Sequence, residues 1–279
     1  MGNIQVDSHQ HFWQINRGDY RWLTADLDVL YRDFLPADIA PLLAENGIHK
    51  TVLVQAADSE AETDFMLSLA EQYDFIAGVV GWVDMASPDA ANRIHELAKN
   101  PFFKGIRPMI QDINDPNWML MAQLNEAFVA LQENNLSFDA LVLPHHLPNL
   151  LKLLKRHPEL RTVIDHGAKP NIAAGNNTQW FNDLEDIAGH THAFCKVSGL
   201  VTEAGENANA DTLQPYFDHL YNCFGPNRLL WGSDWPVVNL SMNYGHWRIL
   251  TNTLFSALSD SDKQRILGDN ACEFYQLQD

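Results

Sequence analysis

Cysteine is scarce in this chain. The three present in 279 residues, Cys195, Cys223 and Cys272, are odd in number, widely spaced and free of any CxxC pair. That excludes a disulfide framework or a thiolate zinc site and points to a reducing, cytoplasmic compartment. Long apolar runs are missing too: the longest, residues 75–83, falls far short of the roughly 20 residues that span a bilayer. The opening MGNIQVDSHQHFW has neither a basic n-region nor an apolar h-region, so a soluble, unexported protein is expected. Basic residues are few, 18 Lys and Arg against 36 Asp and Glu, for a formal charge of -18. Attraction to nucleic acid or to an anionic membrane is therefore disfavoured, and a small-molecule partner fits better. No Gly/Ser linker, low-complexity tract or block of one charge divides the chain, so residues 1–279 read as a single domain. Nothing in the sequence encodes an oligomeric state, and a homo-oligomer stays open.

What is present is a rhythm. Eight short apolar or β-branched runs recur at residues 4–9, 50–56, 76–83, 105–109, 137–142, 162–166, 193–198 and 228–232. Between them lie stretches with helical spacing, at 61–72, 88–100, 119–134, 147–156, 179–189, 214–224 and 245–258. Pro148 suits a first helical turn and Pro158 ends the same helix, while Ser87-Pro88-Asp89 resembles a cap followed by a first-turn proline. Strands alternating with helices over about 250 residues have the size of a (β/α)8, or TIM, barrel. A doubly wound open sheet is the alternative.

The first run ends Asp7-Ser8-His9-Gln10-His11. Strict alternation along a strand would send Asp7, His9 and His11 to one face, with two imidazoles converging at the strand's C-terminal end. Neutral imidazole is a common ligand for zinc and related ions, although a lone HxH equally serves to bond nearby backbone. Other run ends carry similar residues: Arg107, His145 and His146, Asp165 and His166, and Asp234. Polar groups at the tips of several apolar strands are the layout of a barrel active site. Asp165 and His146 are read as structural, a buried carboxylate and a cap; His166 and Asp234 are read as functional. Trp13 and Trp118 lie near run ends, where an aromatic packs the core or stacks on a sugar ring.

The segments Val6-Asp-Ser-His9-Gln-His11-Phe-Trp13, Gly105-Ile-Arg107 with Gln111, Asp112 and Trp118, Pro144-His145, Asp165-His166-Gly-Ala-Lys169-Pro170, Lys196-Val-Ser198-Gly199-Leu200 and Gly232-Ser-Asp234-Trp-Pro236 resemble the amidohydrolase superfamily, amidohydrolase 2 type. Within it they are similar to the sugar-lactone hydrolases. The resemblance implies a barrel with His9, His11, His166 and Asp234 gathered at its mouth, where metal-dependent members hold one or two divalent ions. This chain offers Lys104-Gly-Ile-Arg107 on the fourth run, with no obvious bridging carboxylated lysine. A binuclear centre is therefore not expected, and one ion (zinc or manganese) or none stays open.

The activity so implied is hydrolysis of an aldonolactone, such as L-fucono- or L-rhamnono-lactone, to the sugar acid in carbohydrate metabolism. Asp234 would be general base; His9, His11 and His166 would polarise the carbonyl, directly or through an ion. Arg107, His145, Trp13 and Trp118 would bind substrate. A decarboxylase or lactone isomerase of the same superfamily is the nearest rival, and a non-catalytic sugar-acid-binding barrel is further off. The stretch 202–212, rich in Ala, Asn, Glu and Gly, reads as a loop over the mouth.

Overall fold

In the computed structural model, which describes residues 4–175 and 177–278, the eight runs become eight parallel strands paired in sequence order. They are β1 (Val6–Gln10), β2 (Lys50–Val54), β3 (Ile76–Gly81), β4 (Phe103–Ile106), β5 (Ser137–Ala140), β6 (Thr162–Ile164), β7 (Phe194–Val197) and β8 (Leu229–Trp231). Several end a residue or two before the polar tips, which belong to the following turns. The barrel closes just past β8: Gln10 bridges Trp235, His11 N–H donates to Trp235 O (2.7 Å) and Asp234 N–H to His9 O (2.8 Å). This is a TIM barrel.

Helices return the chain between strands, α1 (Pro36–Asn46), α2 (Glu60–Ala70), α3 (Ala90–Leu97), α4 (Asn125–Glu133), α5 (Leu147–Arg156), α6 (Thr178–His190), α7 (Leu200–Ala204) and α8 (Ala210–Phe224), and α9 (Tyr244–Leu254) follows β8. The chain then closes with α10 (Asp260–Gln264), a π turn (Arg265–Asp269) and α11 (Asn270–Tyr275). α1 was not anticipated, though its signals are local: Pro36 opens it, Asp38 accepts from Leu35 N–H (2.9 Å), and Gly47 ends it at φ +67°. The expected 119–134 helix shrinks to α4, because Met121 is extended (ψ 135°) between two 3-10 turns. The expected loop at 202–212 is mostly helical. Thr202 to Ala204 complete α7, and Asn209 caps α8 by accepting from Thr212 N–H (3.1 Å).

Side chains alternate between two cores. Val6, Val52, Val54, Val80, Val163 and Leu230 fill the barrel interior, together with Phe274 and Tyr275 of α11. Their strand neighbours Leu53, Val79, Ile164, Leu229 and Trp231 pack outward against the helices. α11 thus plugs the N-terminal end. Gly268 permits the approach, since a Cβ there would lie 1.9 Å from Ile4 O.

One expectation about β1 fails. Asp7 pairs with Thr51 but Gln10 pairs with Leu53, so three steps on β1 oppose two on β2. This bulge breaks the alternation. Asp7 reaches the helical shell, where Tyr244 OH donates to it (3.0 Å) and Ser233 N–H donates as well (2.8 Å). His9 turns inward without it.

Candidate active site

Three strand ends converge at the mouth. His9 comes from β1 and His11 from just past it, His166 from the turn after β6, and Asp234 from the turn after β8, each at most 5% exposed. Two glycines let backbone pass close behind the rings: a Cβ on Gly199 would lie 2.7 Å from the His166 ring, and one on Gly232 2.7 Å from His9 Cβ. His166 (φ 54°) and Asp234 (φ 58°) are themselves left-handed, a conformation that costs each on the order of 1 kcal/mol and aims the side chains inward.

A backbone carbonyl settles how His11 is protonated. His11 Nδ1 lies 2.7 Å from Val54 O, which can only accept, so Nδ1 carries the proton and Nε2 a lone pair. Arg107 Nη1, a donor only, faces His9 Nε2 at 3.4 Å, and Asp165 Oδ1 lies 3.5 Å from His9 Nδ1. The Lys196 ammonium approaches the same Nδ1 at 3.1 Å, so His9 sits between two cations, Lys196 at Nδ1 and Arg107 at Nε2. Burial, then the Lys196 charge, holds the His9 pKa well below its usual value; burial lowers that of His11 and takes His166 to about 4. Burial opposes ionisation of Asp234, but the neighbouring imidazoles, His166 first, carry its pKa below the usual carboxylate range.

Acceptors thus face acceptors. His11 Nε2 lies 3.2 Å from both His9 Nε2 and Asp234 Oδ1, and His9 Nε2 lies 3.7 Å from that oxygen. Lone pairs so close repel unless a proton or a cation sits among them. The spacings match the roughly 3.3 Å edge of a tetrahedron with bonds of about 2.0–2.1 Å. Three neutral or anionic ligands that fit a divalent ion are therefore in place, with His166 Nε2 3.9 Å from Asp234 as a fourth.

Beneath them runs a charged strut that the sequence reading missed. Lys196 of β7, wholly buried, donates to Asp139 Oδ2 (2.7 Å), contacts Asp165 Oδ1 (2.9 Å) and lies 3.1 Å from His9 Nδ1. Tyr275 OH of the plug donates to the same Asp139 oxygen (2.5 Å). Asp165 also takes Arg107 Nη1 (3.3 Å); burial would raise its pKa, but Lys196 and His9 carry it well below the usual carboxylate range. Asp165 also lies with His9 and His166 in a second group whose ligand atoms are close enough to hold an ion. The available signal was a lysine inside the apolar run Phe194-Cys-Lys-Val197, flanked by buried residues.

The remaining expected site residues divide. Arg107 lines the cavity of about 280 Å³ that holds His11, His166 and Asp234, fixed there by Gln55, whose backbone carbonyl accepts from Nη2. Lys169 lines it too and forms no ion pair among the described residues. Trp118 lines a neighbouring cavity. Trp13 is fully buried among Tyr20, Trp22 and Phe34, with its indole N–H on Arg32 O (2.8 Å), and lines neither. Its packing makes it a support for Trp22. His145 is exposed and lies against His146, ring centres 3.8 Å apart and tilted by 45°, outside both cavities. His146 accepts from Leu143 N–H (3.1 Å), a turn cap as read.

The amidohydrolase family model matches residues 6–277. The chain belongs to the amidohydrolase family. It is 43% identical over 98% of its length to the L-fucono-1,5-lactonase of Burkholderia ambifaria, covering 96% of that protein. It is 34% identical over 99% to the L-fucono-1,5-lactonase of Burkholderia multivorans, covering 97%. A crystal structure of an amidohydrolase from B. multivorans with bound zinc superposes with a TM-score of 0.93 at 34% identity, covering 99% of this chain and all of that one.

Proposed function

We propose that this amidohydrolase opens a sugar-derived lactone to its acid, with L-fucono-1,5-lactone the foremost candidate. The observation that carries it is the cluster of His9, His11, His166 and Asp234 beside the fixed cation Arg107, in a chain 43% identical to an L-fucono-1,5-lactonase. Lactone hydrolysis needs a base for water, charge stabilisation for the oxyanion, and a proton for the departing ring oxygen. Asp234, held ionised, takes the proton as water bonds to the carbonyl carbon and returns it to the ring oxygen as the C–O bond breaks. Arg107 and Lys169 face the cavity as cations where negative charge grows on the carbonyl oxygen and remains as the product carboxylate.

His9, His11, His166 and Asp234 would hold a divalent ion, zinc or manganese, which when bound supplies Lewis acidity at the carbonyl. Zinc is the better match, given nitrogen-rich ligands at tetrahedral spacing.

The test is proton release from L-fucono-, L-rhamnono-, L-galactono- and D-galactono-lactones by protein as purified, after chelation, and with zinc or manganese restored. Fast release confined to one configuration is expected, lost on chelation and recovered with zinc. Folded protein that is silent across the panel in all three states would sink the reading.

A further inference from the structure

The mouth holds two adjoining cavities, and the one with the histidines is the smaller. Beside its roughly 280 Å³ lies a second of about 510 Å³, over the turns that follow β1 to β4. Trp22, Met109 and Asp112 line both, so the two share a wall. Small-molecule sites typically occupy about 300–1,000 Å³. The inner cavity falls just under that range, and the outer lies within it.

The two differ in charge balance. The inner cavity sets Arg107, Lys169 and two histidines beside Asp112 and Asp234, so it offers cations to a carbonyl about to become a carboxylate, whereas the outer has Arg21 as its one cation among the lining residues. The outer has no histidine and is lined by four aspartates, Asp19, Asp58, Asp84 and Asp112. Asp19 pairs with Arg17 (2.7 Å) and Asp58 with Arg21 (3.7 Å), whereas Asp84 and Asp112 form no ion pair among the described residues. An anion is repelled there, while a hydroxyl can donate to those carboxylates. The same cavity presents Trp22, Trp82 and Trp118, all half-buried. Trp22 spends its indole N–H on Ala56 O (2.6 Å), but those of Trp82 and Trp118 have no acceptor among the described residues. Flat apolar faces, two N–H donors, and carboxylates without an ion pair, each with an oxygen left beyond the one that takes Ala86 N–H (Asp84) or the Gln111 amide (Asp112), together match a neutral ring that carries hydroxyls on its edge and C–H groups on its face.

Resting on the lactonase reading, we propose that the outer cavity is a subsite for a second, neutral sugar ring, so that the enzyme accepts aldonolactones bearing a glycosyl substituent. The lactone carbonyl lies in the inner cavity and the substituent packs against Trp82 and Trp118, with its hydroxyls on Asp84 and Asp112. Charge sets the orientation, since the reverse would put the product carboxylate among the aspartates.

The experiment compares L-fucono-1,5-lactone with the same lactone carrying a neutral glycosyl group. kcat/KM is read by proton release, and affinity for the two product acids by quenching of tryptophan fluorescence. The glycosylated lactone is expected to show a KM about 10-fold lower, the scale of one ring–aromatic contact. Trp82→Ala and Asp84→Asn, each lining the outer cavity alone, should cut the glycosylated-to-plain ratio of kcat/KM by about 10-fold. Equal losses on both substrates, or a glycosylated lactone no better than the plain one, overturn the subsite. A preference for an amino-sugar substituent over a neutral one overturns its neutral character. If neither lactone is hydrolysed, the lactonase reading fails while the subsite is still decided: it stands if the glycosylated acid binds about 10-fold tighter than the plain acid, and falls otherwise.

Discussion

The two ends of the barrel are built from the same strands and treat buried polarity in opposite ways. Toward the N-terminal end, valines and the plug residues Phe274 and Tyr275 fill the interior, and the polar groups reaching it are matched donor to acceptor: Tyr275 OH and Lys196 both give to Asp139. At the mouth, His9, His11 and Asp234 are buried as deeply, yet acceptor faces acceptor at 3.2 Å. Burial alone therefore does not mark the site. The imbalance of donors and acceptors does, because a matched buried network stabilises the fold whereas an unmatched one persists only to receive something.

Changes at the mouth should strike rate and spare stability, and changes toward the plug should do the reverse. The largest effect is expected for Asp234→Asn: kcat about 1,000-fold lower, within what a general base supplies, with product binding and melting temperature little changed. Near-normal turnover would erase the distinction between the two ends. Lys196→Met should cost about 3–5 kcal/mol in a denaturant titration, because Asp139 and Asp165 stay buried without their shared cation. An unaltered midpoint would show that the strut carries no stability.

On α2, beside the turn after β2, Glu62 is buried while accepting from Ala56 N–H (3.0 Å) and Ala57 N–H (2.8 Å). Burial pushes its carboxyl from 4.5 up to about 8, against those N–H groups. With the folded pKa raised, its stabilising contribution is complete below about pH 4.5 and is lost as pH rises through about 8. The melting temperature of the native protein relative to Glu62→Gln should therefore fall across that window and level off above it. A difference independent of pH would contradict the shift. The smallest effect belongs to Tyr275→Phe, about 1–2 kcal/mol of stability with kcat within about twofold, since one hydrogen bond to Asp139 is lost far from the reacting atoms.

Much of the site was legible because its residues are out of place locally. Histidines and an aspartate at the tips of apolar runs have few local structural uses, and His9, His11, His166 and Asp234 do meet in space. Trp13 illustrates the opposite case: an aromatic near a strand end suits a sugar and a core equally, and only its neighbours show it packed away. Lys196 stood only within a family segment, and its role went unread because its partners Asp139, Asp165 and His9 lie on other elements that no spacing along β7 announces.

By itself the sequence determined the order of the eight strands and the helices that start and stop at local signals, since these follow from period and turn chemistry within short windows. Tertiary structure decided what depends on register and on distance between elements. A one-residue bulge sent Asp7 outward and His9 inward; the packing of α11 supplied Tyr275 to Asp139; the turns after the first four strands enclosed a second, acidic cavity beside the first. Each is a relation among segments far apart in the chain, and a local pattern carries no information about which distant group will complete it.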